Sequence, residues 1–476
     1  MIKFGTGGFR AIIGDGFIKE NIVKISLALV KIIDTDELAR EVIIGYDRRF
    51  LSKEGALWMT KVLTDAGVKV WFIDKSTPTP MIMFGVMSEN VDIGIAITAS
   101  HNPALYNGIK LFQRGGVDAG IEFTNRVEAY ANDLDAYDFD ATDFSSIVSS
   151  PYFEFFDNYN AYINSILSQI DVEKIQGSRI KVGVDPLYGV SEKALQTLLN
   201  TARCNVFVIN EMHDTLFGGK LPAPTIETVS QLQTFVVQNQ LDIGVATDGD
   251  ADRIGIVDDK GNFLHPNDVL MMIYYYQLAY QGKTGAIVRN ISTTHTLDKI
   301  AKAFGQDVYE VPVGFKNISQ KMIEVDALLG GESSGGLTIR GHIKGKDGIY
   351  AAMVLVEMIA VTGKSILSFY KEVLKRFGET QTVELQYRTS DIRKLEILKI
   401  LDEAKFVSLP GFEKQYLPGG IKFVSDDRWI LVRFSGTEPL LRIVSELAVD
   451  ENVDPQLKII EDFLKLNGGN NDEVNS

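Results

Sequence analysis

The sequence predicts an α/β protein in which three similar α/β domains, with mixed, mainly parallel sheets, and a smaller C-terminal α+β domain surround a central cleft. Short apolar runs alternate with longer stretches of helical periodicity, which is typical of βαβ units. One order of predicted elements, strand–helix–strand–helix–strand, which we call a course, occurs three times. Each time a polar segment lies at the end of its last strand. After about residue 375 the pattern instead predicts an antiparallel sheet.

The first course sets the pattern for the other two. Its predicted strands at 42–47 and 68–74 are separated by a helix over 53–66 that ends at Gly67, and DIGIAIT at 92–98 completes it. The strands of the second course are predicted at 180–185, 205–209 and 242–247, and those of the third at 286–290, 307–311 and 326–331. DIGVAT at 242–247 matches DIGIAIT, which indicates an internal repeat.

The C-terminal part of the chain has a different organisation. A strand at 382–388 and a helix over 392–404 precede three further apolar runs, which predict a small α+β domain. The predicted domains are therefore 1–150, 151–258, 259–375 and 376–466, followed by a disordered tail at 467–476.

Composition and charge exclude several classes of protein. The 476 residues carry 48 Lys and Arg against 63 Asp and Glu, a formal net charge of −15. This acidity disfavours a general nucleic-acid or anionic-membrane binder, because both need a basic face. Cys204 is the only cysteine, so an intramolecular disulfide and a thiolate zinc cage are excluded. Without a signal peptide or an apolar stretch of ~18 residues, we expect a cytoplasmic protein.

Three aspartates follow the strand that ends the second course. Asp248, Asp250 and Asp252 would repel one another, so a cation is the natural stabiliser, and carboxylates suit Mg²⁺, Ca²⁺ or Mn²⁺. An EF-hand is disfavoured because Arg253 and Asp259 stand where its loop needs Gly and Glu. An aspartyl phosphatase pair and a solvated acidic turn are the other interpretations.

The segment TASHNP follows the corresponding strand of the first course. Ser100 lies beside His101, and the absence of a Gly-x-Ser-x-Gly elbow disfavours acyl transfer. A phosphorylated serine here would supply an oxygen to a nearby divalent metal, and the alternative is an ordinary turn or helix cap. Lys110 is a candidate acid or base if burial or neighbouring positive charge lowers its pKa.

Two further loops are candidates for substrate contacts. In GGESSGG at 330–336, Glu332 and Ser334 can reach ligand hydroxyls, and the glycines let the backbone approach closely. RFSGTEPLLR at 433–442 combines arginines, hydroxyls and loop N–H groups, which are the donors that a phosphate dianion needs. A flexible loop and an exposed charged loop are the alternatives. Since ligands of open parallel sheets bind beyond the strand ends, these loops are expected to face one cleft.

Together these segments resemble those of the α-D-phosphohexomutase superfamily, the phosphoglucomutases and phosphomannomutases. The resemblance runs from FGTGGFR near the start to RFSGTEPLLR near the end, with the motifs in the family's order and domain spacing. It implies four domains around a cleft and reversible interconversion of α-D-glucose 1-phosphate and glucose 6-phosphate. A phosphoserine enzyme and a hexose 1,6-bisphosphate would be the intermediates, and the fourth domain would move on a hinge near Gly378.

The resemblance also implies a role for each motif residue. The phosphoryl carrier would be Ser100, and one Mg²⁺ would be bound by a Ser100 oxygen with Asp248, Asp250 and Asp252. The other catalytic residues would be the general acid/base Lys110 and, around the transferring group, Arg10, His101 and Arg253. The sugar hydroxyls would contact Glu332 and Ser334, and the non-reacting phosphate would contact Arg433, Ser435, Gly436, Thr437 and Arg442.

The preferred sugar is indicated by finer likenesses. Gly336 stands where mannose- and glucosamine-type members often carry histidine, and the segments at 311–319 and 342–352 look like those of glucose-type members, with Lys316 and His342 facing substrate. We expect a glucose phosphate rather than a mannose or glucosamine phosphate, no nucleic-acid or membrane partner, and a monomer or homodimer. A phosphatase, a catalytically silent sugar-phosphate-binding protein and a calcium-stabilised structural protein remain as alternatives.

Overall fold

The computed structural model describes residues 1–5, 7–134, 144–425, 428–434, 440–449 and 451–466. These residues form four separate sheets in chain order, three with helices packed against a partly parallel sheet and a fourth that is antiparallel. This arrangement confirms the predicted fold class. The tail at 467–476 lies outside the described residues.

The first domain contains an eight-stranded mixed sheet. Its strands are β1 Phe4–Gly5, β2 Gly8–Ile12, β3 Glu41–Tyr46, β4 Lys69–Phe72, β5 Ile93–Ile97, β6 Tyr106–Gln113, β7 Val117–Asp118 and β8 Phe153–Phe155. Its helices are α1 Lys19–Thr35, α2 Ser52–Asp65, α3 Thr79–Ser88, α4 Ile121–Asn132 and α5 Phe144–Val148. The strand order is β1-β2-β6-β5-β3-β4-β8, with β7 paired to β6, and β5, β3, β4 and β8 run parallel.

The second domain contains a five-stranded sheet. Its strands are β9 Lys181–Asp185, β10 Asn205–Val208, β11 Ile243–Thr247, β12 Ile254–Val257 and β13 Phe263–Leu264, in the order β10-β9-β11-β12-β13. Its helices are α6 Tyr159–Leu167, α7 Val172–Ser178, α8 Glu192–Thr201 and α9 Ser230–Asn239, with a 3₁₀ turn at Phe217–Gly219. Strands β8 and β13 join the sheets that precede them, just beyond the predicted boundaries at 150 and 258.

The third domain has a four-stranded sheet. Its strands are β14 Ile287–Asn290, β15 Val308–Val311, β16 Leu329–Gly331 and β17 Leu337–Ile339, in the order β15-β14-β16-β17. Its helices are α10 Pro266–Ala279, α11 Thr296–Ala303, α12 Phe315–Val325, α13 Gly348–Thr362 and α14 Ile366–Phe377.

One topology recurs in these three sheets. In each, the first strand of the repeat (β3, β9 or β14) is central. It pairs in parallel with the second strand (β4, β10 or β15) on one side and with the third strand (β5, β11 or β16) on the other. The third strand also pairs with an antiparallel return strand. The return strands β12 and β17 follow the TDGDADR and GGESSGG segments directly, and two residues separate TASHNP from β6. The three segments are therefore the turns between equivalent strands of three repeats.

The fourth domain is a five-stranded antiparallel sheet with two helices. Its strands are β18 Thr380–Arg388, β19 Glu413–Leu417, β20 Gly420–Ser425, β21 Arg428–Phe434 and β22 Leu440–Ala448, and its helices are α15 Asp391–Asp402 and α16 Asp454–Leu464. The order is β18-β22-β21-β20-β19. The domain begins just after Gly378, whose φ of +93° ends α14 in a conformation that favours glycine.

Helix α13 joins the first three domains into one scaffold. Asp347 caps it by accepting hydrogen bonds from the backbone N–H groups of Ile349 and Tyr350, each at 2.9 Å, and it ends at Gly363 in the left-handed region. Its apolar side chains belong to a single core cluster that extends into the first and second domains. This shared core fixes the three turns relative to one another.

Among the described residues, no single helix has the length and apolar composition needed to cross a membrane. Helices α13 and α14 meet that requirement only as a pair, and an angle of 83° separates them.

Candidate active site

The Ser100 hydroxyl meets the aspartate loop in a buried position. Its Oγ donates to Asp248 Oδ2 at 2.7 Å and lies 3.3 Å from His101 Nδ1. The Ser100 backbone has a φ of +54°, an uncommon conformation for a residue with a side chain. A Cβ atom at Gly249 would come within 2.7 Å of the Ser100 carbonyl oxygen, so only glycine allows this approach of the two loops. The structure therefore brings the predicted phosphoryl carrier and the predicted metal loop together.

The three aspartates form one carboxylate cluster. One ligand oxygen from each of Asp248, Asp250 and Asp252 lies within 4.8 Å of the others, and all three residues are buried. The Arg253 backbone N–H donates to Asp248 Oδ1 at 3.0 Å, and Thr79 Oγ1 donates to Asp250 Oδ2 at 2.7 Å. Burial, followed by repulsion from the other two carboxylates, raises the pKa of Asp248 well above its usual range.

This cluster fits a hard divalent cation. The Oδ1 atoms of Asp250 and Asp252 are buried and have no hydrogen-bond partner in the described part of the chain. Buried carboxylate oxygens without partners are costly unless a cation or donor meets them. Three clustered carboxylates with a neighbouring hydroxyl supply the all-oxygen ligand set that Mg²⁺ prefers.

Lys110 lies against the same cluster from the first domain. Its Nζ donates to Asp250 Oδ2 at 2.6 Å and to Asp252 Oδ2 at 2.7 Å, and its side chain is 6% exposed. Burial lowers the pKa of Lys110, but Asp250 and Asp252 raise it by more, so the net shift is upward. For Lys110 to act as a base, the prediction from the sequence requires a lowered pKa. The structure gives the opposite direction, so Lys110 is a protonated ammonium donor here.

The other predicted cationic groups surround the serine. Arg10 Nη1 donates to Asn102 Oδ1 in the TASHNP turn at 2.6 Å, and Arg253 Nε lies 3.9 Å from Asp252 Oδ1. Burial, followed by the charges of Arg253 and Arg10, holds the pKa of His101 well below its usual range, so the imidazole is neutral at pH 7. The nitrogens Arg10 Nε and Arg253 Nε are buried and have no hydrogen-bond partner among the described residues, which suits an arriving anion.

The GGESSGG turn is held against the metal loop. Arg253 and Gly336 form a β-bridge, and the Ile254 N–H donates to the Gly335 carbonyl at 3.1 Å. Glu332 Oε1 accepts from Asn290 Nδ2 and from the Gly314 N–H, each at 3.1 Å. These contacts fix the Glu332 carboxylate within the turn that the β-bridge holds against the metal loop.

The hydroxyl of Ser334 lies with that carboxylate. Ser334 Oγ donates to Glu332 Oε2 at 3.4 Å. Lys316, at the start of α12, lines a small pocket with Lys110, Asp118 and the Gly7–Gly8 turn. The predicted sugar contacts Glu332 and Ser334 therefore share one turn, and Lys316 lies two residues after Gly314, whose N–H donates to Glu332.

His342 is placed elsewhere than predicted. Its ring is buried 4.4 Å from the Tyr350 ring, and its Nε2 lies 2.7 Å from Asp347 Oδ2. Tyr162 OH donates to the same carboxylate oxygen at 2.7 Å. In this structure His342 supports the Asp347 cap of α13 and does not face the cleft, because the apolar packing of α13 encloses it.

Two predicted phosphate contacts lie on the fourth sheet. Arg433 on β21 stands directly opposite Arg442 on β22, an unfavourable pairing of like charges that a bound anion would relieve. Their Nε atoms are buried without hydrogen-bond partners among the described residues, and Arg442 Nη1 lies 3.7 Å from Glu384 Oε1. Burial and Arg442 lower the pKa of Arg433, whereas Glu384 and Glu332 raise it, which puts Arg433 within electrostatic reach of the sugar loop. The predictions for Ser435, Gly436 and Thr437 lie outside the described residues.

Two residues of this region were not predicted from the sequence. Lys346 Nζ forms an ion pair with Asp252 Oδ2 at 2.9 Å. Arg49 donates hydrogen bonds to the backbone carbonyl oxygens of Ser100 and Asn102 in the TASHNP turn. Lys346 was detectable as a lysine between glycine and the cap residue Asp347 in a segment already singled out. Arg49 lies in DRRF beside Arg48 and carries no local signal of its role.

Comparisons with known proteins cover almost the whole chain. Four family models match in order, described as phosphoglucomutase/phosphomannomutase alpha/beta/alpha domains I, II and III and C-terminal domain, over residues 1–138, 160–261, 265–377 and 384–458. A phosphoglucomutase/phosphomannomutase from Thermococcus kodakarensis is 31% identical over 97% of this chain and 99% of its own length. A phosphoglucosamine/phosphogalactosamine mutase from Sulfurisphaera tokodaii is 30% identical over 94% and 96%. Among solved structures, a Thermus thermophilus protein provisionally named phosphomannomutase aligns with a TM-score of 0.82 and 27% identity over 98% of both chains.

Proposed function

This chain belongs to the phosphoglucomutase/phosphomannomutase family of the α-D-phosphohexomutase superfamily, and we propose that it interconverts α-D-glucose 1-phosphate and glucose 6-phosphate. That it is a phosphohexomutase follows from the family. The choice of glucose, the phosphoserine at Ser100, the bisphosphate intermediate and a cytoplasmic location are the proposal.

The contact between Ser100 and Asp248 carries the assignment of the phosphoryl carrier. The 2.7 Å hydrogen bond puts Oγ at the edge of the carboxylate cluster, with a neutral imidazole and two arginines nearby. A transferring phosphoryl group develops negative charge, and fixed cations around it lower the barrier. A phosphatase acting through the aspartates alone would not need the serine in this position.

The transfer takes place in two half-reactions that use the same residues. In the first, the phosphorus–oxygen bond to Ser100 Oγ breaks while a bond forms to the free hydroxyl oxygen of the hexose phosphate. The Lys110 ammonium donates a proton to the departing Ser100 oxygen, and the proton of the hexose hydroxyl passes to the Lys110 amine, which restores the ammonium. In the second half, the bisphosphate has turned end for end, and Ser100 takes back the other phosphoryl group.

The aspartate cluster and Ser100 are the groups that would hold Mg²⁺. When bound, the ion offsets charge on the transferring phosphoryl oxygens. The carboxylates of Asp250 and Asp252 also keep Lys110 protonated and oriented, while Arg10 and Arg253 face the same anion.

The opposite end of the substrate is assigned to the fourth domain. Arg433 and Arg442 present two guanidinium groups side by side, which is the donor arrangement for the phosphate that does not react. In the proposed pose, Glu332 and Ser334 lie between this pair and the aspartates. There the Glu332 carboxylate accepts hydrogen bonds from sugar hydroxyls, and the Ser334 hydroxyl donates to or accepts from them.

The choice of glucose is supported by the surroundings of Gly336. A Cβ atom there would lie 2.3 Å from Lys346 Cδ, so any side chain at this position would have to displace Lys346, which is paired with Asp252. The histidine that mannose- and glucosamine-type members often carry at this position would therefore disturb that ion pair. A glucosamine phosphate is the second candidate, because the Sulfurisphaera tokodaii relative is named for amino sugars.

A panel of hexose 1-phosphates tests the proposal. Glucose, mannose, glucosamine and galactosamine 1-phosphates are assayed with Mg²⁺ and a trace of the matching bisphosphate, and kcat/KM is compared. We expect the highest value for glucose 1-phosphate and none for the Ser100→Ala protein. A preference for an amino sugar would refute the choice of glucose, and full activity without the Ser100 hydroxyl would refute the mechanism.

A further inference from the structure

Arg49 holds the turn that carries Ser100 by its backbone. Its Nη2 donates to the carbonyl oxygens of Ser100 at 2.5 Å and Asn102 at 2.6 Å, and its Nη1 to those of Pro103 at 2.9 Å and Tyr106 at 3.0 Å. The Arg49 side chain is 0% exposed. One guanidinium therefore satisfies four carbonyls that point toward a single buried position.

Arg49 is itself fixed from two sides. Its Nε lies 3.3 Å from Asp47 Oδ2, and Asp47 also accepts from Thr98 Oγ1 at 2.7 Å and from Ser52 Oγ at 2.6 Å. The ring of Phe217, from the second domain, lies 4.9 Å from the guanidinium carbon. A charged group this well paired has little freedom to reorient.

The turn needs such a support. Residues with a side chain adopt the left-handed region at a cost and persist there only where surrounding contacts determine it, which is the case for Ser100 at +54°. Convergent carbonyls repel one another and are costly when buried without a donor. The planar guanidinium offers five N–H donors in a fixed fork, whereas a lysine ammonium has three on a flexible stem.

We propose that Arg49 is a positioning residue for phosphoryl transfer: it fixes the Ser100 hydroxyl against the aspartate cluster and so sets the rate of both half-reactions. The proposal rests on the assignment of Ser100 as phosphoryl carrier. Arg49 touches no substrate in this arrangement, because its donors all face backbone carbonyls and Asp47.

Arg49→Lys is the test variant, and Arg48→Met is its matched control. Arg48 is the neighbouring arginine, and its guanidinium donates to the Glu211 carbonyl and the Glu192 carboxylate of the second domain. A misplacement of about 1 Å at a reacting centre costs about 100-fold in rate, so we expect kcat of Arg49→Lys to fall about 100-fold with KM changed less than about threefold. Arg48→Met should keep kcat within about twofold.

A purely structural role gives a different result. In that case the melting temperature of Arg49→Lys falls while kcat per folded molecule equals that of the wild type, which would overturn the proposal. If Arg49→Lys does not fold, Phe217→Leu weakens the same support more gently. A lower kcat at unchanged KM in Phe217→Leu supports the proposal, and an unchanged kcat refutes it.

Hydrogen exchange separates this proposal from the proposed function. The amides of Asn102 and Tyr106 are bonded within the turn, to the Ala99 carbonyl at 3.1 Å and the Pro103 carbonyl at 2.9 Å. Their exchange should accelerate in Arg49→Lys and not in Arg48→Met, whatever the substrate is. Unchanged exchange would refute the role of Arg49, whereas a wild-type protein without hexose phosphate turnover would refute the proposed function.

Discussion

Replacing Glu310 by glutamine tests how the fourth domain is held against the third. Lys422 on β20 is fully buried, and its Nζ donates to Glu310 Oε2 at 2.6 Å and lies 3.0 Å from His295 Nε2. Glu310 also accepts from Arg289. Burial raises the pKa of Glu310, but His295, Arg289 and Lys422 lower it by more, so the carboxylate is ionised and central to the interface.

The expected cost follows from which charge is left unpaired. Breaking a buried ion pair from one side costs about 3–5 kcal/mol, and the 29% exposure of the Glu310 side chain reduces this, so we expect about 2–3 kcal/mol for Glu310→Gln. Lys422→Met leaves Glu310 paired with Arg289, and we expect about 1 kcal/mol. The double variant contains no uncompensated charge, so it should cost less than Glu310→Gln alone.

Trp429 reports on this interface directly. Its ring is buried 5.0 Å from Lys422 Nζ, and the other two tryptophans, Trp58 and Trp71, can be replaced by phenylalanine. Urea unfolding followed by Trp429 fluorescence then gives the free energy of unfolding of the background, the two single variants and the double variant. A cost of less than about 0.5 kcal/mol for Glu310→Gln, or a double variant equal to the sum of the singles, would refute the reasoning.

The same interface has consequences for pH dependence and for activity. Because the folded pKa of Glu310 is lowered, its stabilisation is present above its unfolded pKa of about 4.3 and is lost as the pH falls below that value. The difference between wild type and Glu310→Gln should therefore shrink toward pH 3. Since the fourth domain carries Arg433 and Arg442, Glu310→Gln should raise KM more than it lowers kcat.

Three further predictions follow from buried groups. Burial, and then Glu446 and Glu379, raise the pKa of Asp268 to about 7. The protonated carboxyl that suits the folded protein is therefore lost as the pH rises from about 4 to 7. The substitution Asp268→Asn should raise Tm by about 2–4 °C at pH 8 and leave it unchanged at pH 4. Mg²⁺ at 100 times its Kd should raise the free energy of unfolding by about 2.7 kcal/mol, and a Tm series should show no such rise in Asp248→Asn. Gly336→Ala should displace Lys346 and lower kcat/KM, whereas Gly177→Ala, in open space, should not; equal activity of the two would refute the steric argument.

The fold was predictable because its signals are local. Alternating apolar runs and helical periodicity give the order of strands, and the match of DIGIAIT to DIGVAT corresponds to the equivalent strands β5 and β11 of the repeat. The hairpin of β1 and β2 was not predicted. Its strands are short, and they are fixed by pairing with β6 far along the chain.

The local signals of the site were clearest where its residues lie in one turn. Ser100 and the aspartates follow strand ends directly, so their side chains had to reach the same edge as the neighbouring repeats. Arg49 acts through contacts made by tertiary packing, which no local pattern reports. Lys346 lies in a segment already singled out from the sequence, but its ion pair with Asp252 depends on tertiary packing. His342 was predicted to face substrate, but it is a buried partner of Asp347. The sequence cannot distinguish these two roles, because the packing of α13 decides between them.

The most direct test of the account is a single-turnover transfer from the phosphorylated protein. The chain is phosphorylated with glucose 1,6-bisphosphate, the modified peptide is identified by mass, and the isolated phosphoprotein is mixed with glucose 1-phosphate. We expect one phosphoryl group on Ser100 that passes to the sugar, giving bisphosphate and then glucose 6-phosphate, with no release of inorganic phosphate. Phosphate on another residue, or inorganic phosphate released in step with loss from the protein, would contradict it.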